Sequence, residues 1–342
     1  MALTVPVPVA RAVLRFVFRG AAVGPIACFP SRWLSGPWSH CHSRSVRAMS
    51  SRRKIGHLER TVNNFRQEMI AEAKVCGIVQ ESETVKRLRL VIMNKDFAFK
   101  AGQWVDFFIP GISQVGGFSI CSSPGLLERE SVLELAVKYS EHLPAHWIHT
   151  QNLLVAGKAS IYYPLQRPSR SNHALLNYCR PGGTKQASCL VLDGVELLQY
   201  FWSYIHPGGV GINPLYSILL HVADLHRMQG NKPYKYKPGS VQLYYSAKNT
   251  DELLFKRSII NLAKEFSGKM NCNFHVTQQS FEISRNMQPY VTAGRISERT
   301  LAHVSKDNLC YICGPPPMIE AVSQQLENHG VPKESIIFEK WW

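Results

Sequence analysis

Two rhythms divide the chain. From residue 73 to 164, apolar positions fall in short runs rich in Val, Leu, Ile and Phe: Ala73–Val79, Val85–Met93, Val105–Ile109, the alternating Val132–Tyr139, and Ala159–Tyr163, which ends at Pro164. Such runs predict strands. With one helix placed at Ile148–Leu154, they make a small antiparallel β-barrel. From residue 206 the rhythm changes to strands alternating with helices. Leu215–Gln229 has apolar residues at 215, 218, 219, 222 and 225, which is helical spacing. Strand Val241–Ser246, helix Glu252–Phe266, strand Phe274–Thr277, a short helix Arg295–Val304, strand Leu309–Cys313, helix Met318–Asn328 and strand Ile336–Glu339 follow. This alternation predicts an α/β doubly wound parallel sheet, so the fold class is two-domain, a barrel at 73–164 followed by a parallel sheet at 206–342.

Two stretches fit neither rhythm. Residues 55–72, with Val62, Phe65, Met69 and Ile70, suit a helical lead-in. Residues 165–205 open on a polar, aperiodic segment and then offer only Leu190–Leu192 and Leu197–Ile205 as apolar runs. Leu-Gln-Tyr-Phe-Trp-Ser-Tyr-Ile is bulky for a central parallel strand, where Val and Ile dominate. A structureless loop of that length inside a compact domain is unusual. It reads as an atypical insert or linker: a splice form, a gene-prediction error or a natural insertion.

Charge changes the picture at one end. The 342 residues carry 39 Lys+Arg and 24 Asp+Glu, a net charge of +15. Nine of the bases, and no acid, lie in residues 1–58, so the remainder holds 30 bases against 24 acids, or +6. That surplus is too mild for a nucleic-acid partner. Arg11, Arg15 and Arg19 form a basic stripe opposite Val13, Leu14, Phe16 and Phe18, and break every apolar window long enough to span a membrane. An acid-free amphipathic leader of this kind predicts a mitochondrial transit peptide at 1–54, with no membrane association beyond import.

Candidate chemistry gathers in two places. Gly208-Gly209-Val210-Gly211-Ile212-Asn213-Pro214 opens the helix at Leu215, so backbone N–H groups and a positive dipole end face whatever binds there, as a pyrophosphate requires. Near the carboxyl terminus, Cys310-Tyr-Ile-Cys313-Gly314-Pro315-Pro316-Pro317-Met318 reads as strand, stiff proline corner, helix. A corner at the carboxyl end of a parallel strand is where ligands bind, and it sets the Cys313 thiol against a planar cofactor. Cys310 and Cys313 are three apart on a strand, face opposite sides and have no second pair nearby, so no metal is expected.

The segments Phe99–Asp106, Phe118-Ser119-Ile120-Cys121-Ser122-Ser123-Pro124 and Leu133–Lys138 resemble the flavin-binding barrel of the ferredoxin–NADP reductase family. Gly-Gly-Val-Gly-Ile-Asn-Pro, Tyr-Ser-Ala-Lys and Cys-Gly-Pro-Pro-Pro-Met, in that order, resemble its NAD(P)-binding half. The resemblance implies FAD in the barrel, with Phe118 against the isoalloxazine ring, Ser119 and Ile120 beside it, and Lys138 and Tyr139 at the cofactor's other end. It implies NAD or NADP on residues 208–214, with Ser246 and Lys248 near the adenosine ribose and the nicotinamide held at Cys313, Gly314, Pro315, Pro316 and Met318. Trp341 and Trp342 are candidates for a terminal aromatic stacked on the flavin, and Glu339 for a neighbouring acid. Gly116 stands where the family carries an arginine that pairs with the flavin pyrophosphate; Arg129, His142 or His146 is left to supply that charge.

The expectation is therefore an NAD(P)H-dependent flavin oxidoreductase in which Ser119, Cys313 and Glu339 serve the reaction. Its electrons would leave to an unknown acceptor, a small redox protein or quinone-type molecule. The alternatives are an NAD(P)-binding protein without turnover and, on the leader alone, a membrane-tethered partner protein.

Overall fold

The computed structural model describes residues 57–61, 70–150, 158–162, 211–228 and 238–340. The leader, nearly all of the 55–72 lead-in outside 57–61 and 70–72, the 165–205 segment, Gly208–Val210, Trp341 and Trp342 lie outside the described residues.

A four-residue helix, α1 (His57–Arg60), precedes β1 (Ile70–Ser82). Ile70–Glu72 are strand, not the end of a helical lead-in: they pair with Ser160–Tyr162 of β6 (Lys158–Tyr162). The period is two here, with Ala71, Ala73 and Val75 buried and Ile70, Glu72 and Lys74 exposed. β2 (Val85–Ile92), β3 (Trp104–Phe108), β4 (Gly116–Ser119) and β5 (Val132–Lys138) complete a six-stranded sheet in the order β4-β3-β6-β1-β2-β5. Every neighbouring pair is antiparallel. Two bulges interrupt β1, and an isolated bridge between Ile120 and Leu135 brings the end of β4 to the opposite edge strand. Leu88, Leu90, Phe107, Ile120, Leu133 and Leu135 fill the interior.

Two helices hang on this sheet. The sequence reading missed α2 (Pro124–Glu130), although Ser123-Pro124 is a helix-start signal: Ser123 Oγ accepts from Leu126 N at 3.2 Å and Pro124 occupies the first turn. α3 (Leu143–Thr150) starts five residues before the expected Ile148; residues 151–154 of that expected helix lie outside the described residues.

The second half runs α4 (Ile212–Met228), β7 (Val241–Ala247), α5 (Lys256–Glu265), β8 (Met270–Val276), β9 (Val291–Ala293), α6 (Glu298–Leu301), β10 (Cys310–Gly314), α7 (Pro316–Asn328) and β11 (Ile336–Lys340). Among the described residues, β7-β8-β9 form one parallel ladder and β10-β11 another. Three expectations need correction. α5 begins at Lys256 rather than Glu252, because Phe255 sits in the left-handed region at φ 56° and blocks helix before it. β9, only three residues long, gave no periodic signal. Pro316 and Pro317 are no corner outside the helix: they form the first turn of α7, where a missing N–H costs nothing.

β10 is buried on both faces. Tyr311 and Cys313 enter the core formed by α4, β7 and β8, whereas Cys310 and Ile312 enter another with α7. The two cysteines therefore point apart, as their spacing requires. The first of these cores also takes in Val85, Ala101, Cys121 and Ala136 from the antiparallel half, so the two halves share apolar interior.

Polar groups of α4 complete the joint. Asn213 donates its amide to the Ala136 carbonyl at 2.8 Å, Ser217 Oγ donates to the Ser122 carbonyl at 2.6 Å, and Asp224 accepts from Ser123 Oγ at 2.6 Å. Asp224 also faces Arg227 at 3.2 Å and Arg129 at 3.6 Å, and is almost fully buried. Gly125 leaves room for it, since a Cβ there would lie 2.6 Å from Asp224 Oδ2. Ser123 thus caps one helix and holds a buried carboxylate of another. Ser123→Ala is expected to cost about 2–3 kcal/mol in urea unfolding, from the lost cap and the lost charge-assisted bond. Glu130→Ala, which removes only the exposed pair with Arg89, should cost less than about 0.5 kcal/mol.

Candidate functional site

The carboxyl ends of β10 and β11 meet the end of β4. Cys313 and Glu339 are ladder partners in the parallel β10-β11 pair, so their side chains leave the same face. Ser119, last residue of β4 and buried, directs its hydroxyl to Glu339 Oε1 at 3.4 Å. A residue from each half and a buried thiol thereby come together across 220 positions of sequence.

Burial sets the state of this site. Desolvation pushes the Glu339 carboxyl up from 4.5 to about 7, and the Ser119 hydroxyl offsets only part of the rise. Glu339 is thus a carboxyl that can hold a proton near neutral pH. Because its native value lies above the unfolded one, its stabilising contribution is complete below about pH 4.5 and is lost as pH rises through about 7. Replacing it by the uncharged isostere removes that loss. In urea unfolding from pH 5 to 8, the wild-type midpoint should fall relative to Glu339→Gln; a constant difference would contradict the assignment.

The remaining candidates are placed less uniformly. Gly314 continues the ladder opposite Lys340; Pro315 caps α7, and Met318 packs against the core below that helix. Gly211 and Pro214 are buried, and Ile212 lies in the shared core. Asn213 is turned to β5 of the antiparallel sheet, with its Oδ1 buried and without a hydrogen-bond partner. Ser246 is buried at the end of β7 beside His275 of β8, and the half-buried Lys248 accepts from Gln278 N through its carbonyl. Lys138 ends β5 half-buried. Tyr139 is exposed, donates to Glu141 at 3.1 Å and packs its ring against His146 and His149. Ile120 is wholly interior.

Phe118 and Gly116 share a face of β4, the one paired with Val105 and Phe107 of β3. The Phe118 ring meets Phe107 edge-on at 5.7 Å and lies over Gly116. A Cβ on Gly116 would stand 2.5 Å from Phe118 Cε2, 2.7 Å from its Cζ and 3.0 Å from Pro144 Cβ. Of the groups considered as substitutes for a cation here, Arg129 and His146 are engaged with other side chains, and His142 directly precedes α3. Arg129 faces Asp224, and His146 packs on Tyr139.

The flavin implied by the resemblance fits this geometry at one end only. A hydroxyl, a protonatable carboxyl and a buried thiol suit a flat ring with hydrogen-bonding nitrogens. At Gly116 the packing leaves no room for a side chain that could clasp a diphosphate.

Ser123, Ser217 and Asp224 were not singled out from sequence. The signal was there: Asn213, Ser217 and Asp224 are four and seven residues apart, a polar stripe on a helix with apolar residues at 215, 218, 219, 222 and 225.

Comparison with known proteins follows the same lines. Residues 207–324 match the family model described as oxidoreductase NAD-binding domain. Among solved structures, a ferredoxin NADP+ reductase from Neisseria gonorrhoeae with bound FAD and NADP superposes with a TM-score of 0.54 at 14% identity, covering 81% of this chain and 100% of that one. The cytochrome b5 reductase domain of Ulva prolifera nitrate reductase gives 0.56 at 15%, covering 80% and 99%. At that identity they show the fold, that of two-domain ferredoxin reductase-like proteins. Curated relatives are nearer: the proteins called oxidoreductase NAD-binding domain-containing protein 1 are 56% identical in Xenopus laevis, over 88% of this chain and 88% of that one, and 50% identical in Homo sapiens, over 88% and 89%. With identity of that level along most of both chains, this protein belongs to the oxidoreductase NAD-binding domain-containing protein 1 family.

Proposed function

We propose that the protein is an NAD(P)H-dependent flavin oxidoreductase, with the six-stranded sheet as a flavin-binding barrel and β7–β11 as parts of a doubly wound NAD(P)-binding sheet. The observation that carries this reading is the contact between Ser119 and Glu339, which builds one site from both halves. The oxidoreductase NAD-binding match over 207–324 supports the nucleotide side.

A flavin held at Ser119 would supply the acceptor for the hydride of NAD(P)H and would take up one further proton with it. The chain's own groups do the rest. The Ser119 hydroxyl has one proton to donate, to Glu339 or to a ring nitrogen. When Glu339 is protonated it can donate to the Ser119 oxygen, which frees the hydroxyl to face the ring. The same carboxyl, neutral below about pH 7, holds a proton at Oε1 within reach of the site. Cys313, buried at the strand end beside Glu339, places a small, soft thiol next to the site. The electrons then pass to an acceptor, a small redox protein or quinone-type molecule, and the acid-free leader supports import into mitochondria.

A second reading, an NAD(P)-binding protein without turnover, draws on the Phe118–Gly116 packing, which removes a grip on FAD. Mixing the purified protein with flavin and NADH or NADPH without oxygen separates them. Bleaching of the visible flavin absorbance supports the reductase; nucleotide binding with no bleaching supports the second reading. Cys313→Ala should slow the bleaching about tenfold or more with flavin affinity retained. An unchanged rate would remove Cys313 from the site.

A further inference from the structure

The strand that brings Ser119 to Glu339 is four residues long. At about 3.3 Å per residue, Gly116 lies roughly 10 Å from Ser119, within reach of the tail of a flavin whose ring sits at Ser119. Among the described residues, those packed on Gly116 are apolar. The Phe118 ring covers Gly116, and Pro144 of α3 closes its other side. Asp106, paired with Gly117 across the β3-β4 ladder, leaves the other face of the strand. On the rim formed by the end of β5 and α3, Tyr139 donates to the Glu141 carboxylate. His149 Nε2 is engaged with the Val137 carbonyl, and burial lowers its tendency to charge. A diphosphate is held tightly by bidentate, charge-assisted bonds, above all from arginine. Position 116 cannot carry one unless both Phe118 and Pro144 move, and Phe118 is braced by Phe107.

From this packing, and resting on the proposed oxidoreductase reading, we infer that the site grips a flavin by its ring and leaves the phosphate tail ungripped, so that riboflavin, FMN and FAD are alike to it and flavin serves as an exchangeable substrate. The reaction balances without another reagent: NAD(P)H gives a hydride, solvent gives a proton, and NAD(P)+ and two-electron-reduced flavin are released. The reduced flavin then carries its electrons away from the protein. Phe118 and Gly116 are specificity-determining residues in this account, since together they close position 116 to a cation.

Titration of the full chain with riboflavin, FMN and FAD, each followed by quenching of flavin fluorescence, tests the inference. The three dissociation constants should agree within about threefold, and dialysis should strip the protein of flavin. FAD binding more than about tenfold tighter than riboflavin would overturn the inference and leave the oxidoreductase reading standing; if Lys138→Ala then levels the three, Lys138 is the cation that grips the tail. Failure of all three flavins to quench, with NADH still bound by its own fluorescence, would overturn both. The double variant Gly116→Arg/Phe118→Ala, which opens the space and fills it with a cation, should make FMN and FAD at least about tenfold tighter than riboflavin. Riboflavin binding serves as its folding control, and unchanged ratios in a variant that still binds riboflavin would contradict the role given to this pair.

Discussion

α4 is held between two partners at once, and that double burial is the constraint on which the rest depends. Its apolar residues Leu215, Leu219 and Val222 belong to a core shared with β7 and β8 and with Ala101, Cys121 and Ala136 of the antiparallel half. Its polar residues Asn213, Ser217 and Asp224 find partners on the antiparallel half. A buried polar group without a partner costs about 1–3 kcal/mol, more for a charge. Separating the halves would break all three contacts and expose the shared apolar core to water, so each half completes the other. Two charge clusters flank the joint: Asp224 with Arg227 and Arg129, and Glu134 with Arg87, which also lies over the Phe255 ring at 6.0 Å.

The chemistry of the site follows from that joint. β4 reaches β11 because the halves are locked, and the Ser119 hydroxyl then meets the Glu339 carboxyl in a place with little water. Desolvation outweighs the single hydrogen bond and raises the carboxyl to about 7. A carboxylate with two or three donors would have gone the other way. The fold thus places a group that can exchange a proton near neutral pH beside a hydroxyl and a buried thiol, without any metal-like charge among them.

Much of this was legible in the chain. The period-two runs at 85–93 and 132–139 and the alternation after 206 mark strands that the structure contains, because burial on one or both faces writes a period into the sequence. Ile70–Glu72 misled because Met69-Ile70 completes a helical spacing with Val62 and Phe65, while Ala71, Ala73 and Val75 are too small to announce a strand. α2 was hidden by its brevity, and β9 by having only three residues. At the site, glycine, proline and cysteine at a strand end pointed to Cys313, since those residue types have few other reasons to adjoin. The packing of Phe118 over Gly116 was not legible at all. The pair occupies alternate positions of one strand, and only the closeness of Pro144 and Phe107 shows that the space is full.

The account turns on a neutral carboxyl at the meeting point of the two halves. Its most direct measure is the pH titration of the Glu339 side-chain carboxyl carbon by NMR, assigned by its absence in Glu339→Gln. The account predicts a midpoint near 7, and a higher one in Ser119→Ala, where the hydrogen bond that favours the charged form is gone. A midpoint at an ordinary glutamate value near 4.5, unaffected by Ser119, would contradict it.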